Sequence, residues 1–120
     1  MPTVLTREYM DHTFFIPLSA DKSEGVFSRP LSKTRRKQLE HASIQEAGHD
    51  QNIANEFFQR DVLKDCIIQW KGFKDAKGTE IPFSTEILSE LCEIDPELFR
   101  GIFIRIMSVA RFGEIEDLKN

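Results

Sequence analysis

Apolar and polar residues change their spacing near residue 32, which separates a short extended part of the chain from a longer helical part. Before that point, TFFIPLS and GVFSRPLS are short apolar runs with a proline each, and the charged segment ADKSEG lies between them. This pattern predicts two extended segments around a turn, either as a short β-hairpin or as an extended arm over residues 1–31. Because two strands alone are marginally stable, a hairpin here would have to pack on something larger.

Two helices are predicted between residues 32 and 70. The first has Ser32 as a candidate N-cap, a mostly polar body typical of a surface helix, and Gly48 in position to end it. The second covers residues 51–70 and has an apolar stripe at three- and four-residue spacing, which predicts a helix with a core face. This stripe consists of Ile53, Phe57, Val62 or Leu63, Cys66, Ile67 and Trp70.

The segment WKGFKDAKGTEIPFS has no helical periodicity and connects the second helix to a third. We expect Gly72 to end the preceding helix with a positive φ and DAKG to form a tight turn. A third helix is predicted to begin after Ser84, its N-cap, with Glu86 in the first turn. We interpret the segment as an architectural turn in which Trp70 packs in the core. The predicted structural anchors of the turn and the helix starts are Trp70, Gly72, Phe73, Ile81, Pro82, Phe83, Ser84, Asp95 and Pro96.

The last predicted helix has the clearest start, with Asp95 as N-cap and Pro96 at the first helical position. Gly113 marks its predicted end and leaves a polar tail at residues 114–120. Its apolar residues cover more than one face, so the helix is either central or partly in contact with another chain. One hypothesis is a partner-binding or self-association surface, and the other is that the same residues are simply core. The residues in question are Phe99, Ile102, Phe103, Ile106 and Met107.

These patterns predict a mainly α protein, a small bundle of about four helices with a short N-terminal β-hairpin or extended arm. The helical domain would cover residues 32–113. A chain of 120 residues with 40% apolar and 30% charged residues fits one globular domain. Ten Phe accompany only one Tyr and one Trp, so the aromatic side chains are suited to dry packing, inside the fold or against an apolar partner.

Charge makes nucleic acid a poor candidate partner. The net charge is -4, and the excess of acidic residues lies entirely in residues 61–120. KTRRK at residues 33–37 is one short basic run, which is narrower than a phosphate-binding surface needs. A small helical DNA-binding regulator therefore remains only a second alternative.

Residues that could take part in catalysis or metal binding are scattered along the sequence. His12, His41 and His49 have no metal-site spacing, and Cys66 and Cys92 are expected to be buried thiols. We find no arrangement of a nucleophile, a base and an oxyanion site, so we expect no enzyme activity, no metal and no cofactor. Charged residues interrupt the N-terminal segment and no apolar run is long enough for a membrane span, so we expect a cytosolic protein.

The order of these parts resembles the tail assembly chaperones of long-tailed bacteriophages and prophages. The resemblance covers roughly residues 14–112. It rests on Trp70, Gly72, Phe73, the DAKG turn, IPFS at residues 81–84, and the spacing to Asp95 and Pro96.

This resemblance implies a helical binding protein that acts in the bacterial host cytoplasm during tail assembly. Such proteins hold the hydrophobic tape-measure protein in solution, help to recruit tail-tube protein, and are absent from the finished tail. The resemblance implies these partners here, and the wide apolar helix also allows a homo-oligomer. The main alternative is a structural tail or head–tail connector component that stays in the virion.

Overall fold

The computed structural model describes the backbone of residues 13–119 and the side chains of residues 13–109. Within these residues the chain forms four helices and one three-stranded antiparallel sheet, which confirms the predicted mainly α fold with a minor β component. The elements are β1 (Phe14–Pro17), β2 (Gly25–Ser28), α1 (Lys33–Glu46), α2 (Gln51–Cys66), β3 (Ile67–Lys71), α3 (Thr85–Ile94) and α4 (Pro96–Lys119).

The helix starts follow from local hydrogen bonds. The hydroxyls of Ser32 and Ser84 accept backbone N–H bonds in the first turns of α1 and α3, and the Asp95 carboxylate does so for α4. These three N-caps confirm the predicted starts, because each side chain satisfies a backbone donor that the helix itself cannot. Asp50 caps α2 in the same way and was not predicted.

The predicted end of the second helix is wrong. The α2 helix ends at Cys66, and residues Ile67–Lys71 form the strand β3 instead of a last helical turn. Ile67, Ile68 and Trp70 are β-branched or aromatic residues that suit a strand, and a short apolar run does not by itself distinguish helix from strand. Gly72, which was expected to end this helix, follows the strand.

The sheet has the order β1–β2–β3, so the N-terminal hairpin is extended by a strand from the middle of the chain. Ile16 pairs with Val26, and Val26 pairs with Trp70 on the other side. These three side chains are only 0–5% exposed. Of the two alternatives for the N-terminal segment, the hairpin is therefore correct and the extended arm is wrong.

One core joins the sheet to the helices. The α2 helix packs against α1, α3 and α4, and every element contributes at least one buried apolar side chain to the same cluster. Because the hairpin shares this cluster, residues 14–28 pack as part of the body of the molecule. The cluster includes Ile16, Val26, Leu39, Val62, Leu63, Cys66, Trp70, Leu88, Phe99, Ile102 and Ile106.

The predicted end of the last helix is also wrong. The α4 helix continues through Gly113 to Lys119 and does not leave a separate tail at residue 114. A glycine inside a helix costs only about 1 kcal/mol relative to alanine, so it marks a helix end without requiring one.

Candidate interaction surface

Trp70 holds the turn between β3 and α3. Its indole stacks on Phe73 with ring centroids 4.8 Å apart, and it meets Phe83 edge to face at 4.9 Å. The indole Nε1–H donates a hydrogen bond of 2.8 Å to the carbonyl oxygen of Ile81. With 5% of its surface exposed, Trp70 connects the two ends of the turn and offers little surface to a partner.

The turn itself is closed by its own hydrogen bonds. The N–H of Gly78 donates to the carbonyl of Asp75, and the Asp75 carboxylate accepts from the N–H groups of Lys77 and Thr79. Gly72 and Gly78 have φ values of 80° and 82°, a region that favours glycine. Pro82 is exposed beside these anchors. The hydrogen bonds of Asp75 thus form the tight turn predicted for DAKG, and their role is structural.

Three of the five proposed partner-binding residues are buried. Phe99, Ile102 and Ile106 are 0–1% exposed, because α4 packs against both α2 and α3. These three side chains belong to the core of the single chain. Phe103 and Met107 lie at the edge of the core and are partly exposed, with the Phe103 ring edge to face against Phe58 at 5.8 Å.

Part of the exposed surface of α4 faces β1. A groove of about 480 Å³ runs between the end of β1 and the first half of α4, and we refer to it as the β1–α4 groove. One wall consists of Ile16, Pro17 and Leu18. The other consists of Glu97, Leu98, Gly101, Ile102 and Arg105.

Gly101 lines the groove without a side chain. A Cβ built on this residue meets no atom of the described residues within 4 Å, so nothing in the described fold requires a glycine here. Glycine in the middle of a helix is less stable than alanine by about 0.5–1 kcal/mol. The missing side chain therefore weakens α4 slightly and leaves room for another chain to come close to its backbone.

Two opposite charges flank this apolar floor. Glu97 and Arg105 line the same groove, one on each side of Gly101 along the helix. Their spacing of eight residues corresponds to about 12 Å along a helix axis. Ile104, next to Arg105 in the sequence, is 53% exposed. The surface thus combines an apolar centre with charges of both signs.

Sequence reasoning did not find the groove. Its two walls are about eighty positions apart in the chain, and nothing in the local pattern brings β1 next to α4. The available signal was Gly101, which interrupts the wide apolar stripe of the last helix without any turn or cap to explain it.

Other features of the described residues give no sign of a chemical site. Burial raises the pKa of Cys66 to about 12, and it also raises the pKa of Cys92, so both thiols stay protonated near neutral pH. Within residues 13–109 no group of three His, Cys, Asp or Glu residues could hold a metal ion. Among the described helices none is long and apolar enough to cross a bilayer.

The basic run of α1 is partly neutralised by its neighbours. Arg35 forms an ion pair of 2.8 Å with Asp65, which raises the pKa of its guanidinium through a hydrogen bond and charge attraction. Arg36 lies 3.8 Å from Glu40. The Arg35–Asp65 pair joins α1 to α2, and both contacts reduce the positive charge that a phosphate backbone would meet.

The fold and its groove define a small, mainly helical protein with a partly apolar groove beside its last helix. A family model described as the YdaY prophage protein matches residues 23–118, and the chain belongs to this family. The match runs from the hairpin loop almost to the end of α4, and it confirms the coarser part of the resemblance, that this is a prophage protein. No curated protein and no solved structure matches the chain.

Proposed function

We propose that this prophage protein is a tail assembly chaperone that binds an apolar helical segment of the tape-measure protein in the β1–α4 groove. The observation that carries the proposal is the groove itself, an apolar trough with a glycine floor on the surface of a protein from a prophage family. In this role the protein is a binding partner without enzyme activity or a cofactor.

The lining of the groove supports a helical client. Its walls carry the apolar side chains of Ile16, Leu18 and Leu98. Amphipathic helices bind such grooves through a few apolar anchors on one face. Gly101 would let the client backbone approach α4 closely, while Pro17 and Leu18 would contact the opposite side of the client helix.

Co-expression with the tape-measure protein of the same prophage tests the proposal. Gly101→Leu should greatly reduce the amount of tape-measure protein that co-purifies, because the leucine side chain fills the floor of the groove. Leucine is a good helix former and no described atom lies near the new Cβ, so the thermal midpoint of unfolding should not fall.

Arg100→Leu is the matched control, because it adds the same side chain one residue earlier on an exposed position of α4 that does not line the groove. This variant should co-purify with the tape-measure protein as the wild type does. Equal capture by both variants would show that the groove is not the client site. Failure of the wild type to capture the tape-measure protein would contradict the proposed client.

A structural component of the tail or of the head–tail connector is the alternative that this proposal must exclude. A chaperone leaves the assembly, whereas a structural component stays. Mass spectrometry of purified phage particles should therefore find the tail-tube protein but not this chain. Its presence at a fixed copy number per particle would favour the structural alternative.

A further inference from the structure

The charged residues of the β1–α4 groove are arranged symmetrically about Gly101. Glu97 lies four positions before this glycine and Arg105 lies four positions after it, and both line the groove. A surface with opposite charges at equal distances from its centre is complementary to a second copy of itself when the two copies are antiparallel. This is the geometry of a two-fold contact, in which one patch meets the same patch.

A two-fold axis at Gly101 would also match the apolar residues. In an antiparallel pair of α4 helices, residues at equal distances on either side of the centre come to the same level. Leu98, which is partly buried, would then lie beside Ile104 of the second copy, and Glu97 would lie beside the second copy's Arg105. Each of these pairs occurs twice. The exposed Ile104 thereby gains an apolar neighbour from the second copy.

Gly101 lies at the point where the two helices would cross. With no side chain on either copy, the backbones can approach more closely than at any bulkier residue, which favours dispersion contacts along the whole crossing. The same residue is the one whose absence of a side chain the described fold does not explain. Charge, apolar matching and close approach therefore all have their centre at one position.

We propose that a second copy of this chain covers the β1–α4 groove when no client is present, through an antiparallel contact between the two α4 helices centred on Gly101. The inference rests on the proposed function in one respect only, since the tape-measure helix would compete with the second copy for the same surface. The homodimer is then the client-free form of the chaperone.

Sedimentation equilibrium of the purified full chain tests this contact without any client. The wild type should form a dimer, and Arg105→Glu should raise the dissociation constant of the dimer about tenfold, because two attractive pairs become two repulsive ones. Glu97→Arg should have a similar effect. Combining Glu97→Arg with Arg105→Glu restores opposite charges and should return the dissociation constant to within about threefold of the wild type.

Arg100→Glu is the matched control for the charge reversal, because Arg100 is exposed on the same helix and does not line the groove. It should leave the dissociation constant unchanged, and circular dichroism should show that every variant is folded. A monomeric wild type would overturn the inference, and so would a dimer that the combined variant fails to restore. If the wild type is monomeric but captures the tape-measure protein, only the dimer is overturned. If the wild type is dimeric but captures no tape-measure protein, only the proposed function is overturned.

Discussion

Trp70 joins two parts of the chain through contacts of different kinds. Its stacking on Phe73 is between near neighbours in sequence, whereas its hydrogen bond reaches the carbonyl of Ile81, eleven residues away. The residue type alone indicated a buried anchor, because tryptophan is rarely placed on a surface without a reason. The bond to Ile81 could not be predicted, because it depends on how the turn returns to the indole.

Trp70→Ala should lower the free energy of unfolding by about 3–5 kcal/mol, because it removes a large buried ring and leaves a cavity. Trp70→Phe keeps an aromatic ring against Phe73 but loses the bond to Ile81, and it should cost about 1–3 kcal/mol through the unpaired carbonyl and the smaller ring. Urea unfolding, followed by circular dichroism, measures both. A loss below about 1 kcal/mol for Trp70→Ala would mean that the indole is not a core residue.

Gly72 and Gly78 separate two destabilising effects of an added side chain, which are backbone strain and steric overlap. Both have positive φ, but a Cβ on Gly72 would lie 2.6–2.9 Å from atoms of Glu24 and Ser23, whereas a Cβ on Gly78 meets no described atom within 4 Å. Gly78→Ala should therefore cost about 1–2 kcal/mol from backbone strain alone. Gly72→Ala should cost clearly more in the same urea experiment. Equal losses would show that the hairpin loop moves away from Gly72 without cost.

Among the secondary-structure elements, helix starts were predictable and element ends were not. Ser32, Ser84 and Asp95 are N-caps in the structure as in the sequence, because a cap depends on residues within one helical turn. The boundary between α2 and β3 depends instead on pairing with β2, about forty positions earlier. Local pattern contains no information on such a partner, so the strand was assigned to the helix that precedes it.

The cap of α3 provides a test at the scale of one element. Ser84→Ala should lower the free energy of unfolding by about 1 kcal/mol, because the Ser84 hydroxyl accepts the N–H of Ile87. Ser89→Ala is the control on the same helix, since Ser89 bonds only to the carbonyl of Thr85 and alanine is the better helix former. We expect this second change to be neutral or slightly stabilising. If both changes cost the same, Ser84 does not act as a cap.

At the scale of the molecule, the sheet is the feature that sequence reasoning placed least well. The sequence predicted the hairpin and its need for a larger structure to pack on. It did not predict β3 as the strand next to that hairpin. As a result the first thirty-one residues were separated from the helical domain. The structure instead buries Val26 completely in the same core as Leu88 and Ile106. The groove was missed for the same reason, because one of its walls belongs to this hairpin.

A shared core predicts that the hairpin and the helices unfold together. Trp70 fluorescence reports on the sheet and the turn, while far-ultraviolet circular dichroism reports mainly on the helices, and the two urea midpoints should coincide. Val26→Ala, which removes apolar volume from β2, should lower both midpoints equally, at a cost of about 2 kcal/mol. An independent arm would behave differently, because it would melt first and its mutation would leave the helical signal unchanged. Two separated transitions would therefore contradict the shared core, and with it a groove whose two walls hold a fixed distance.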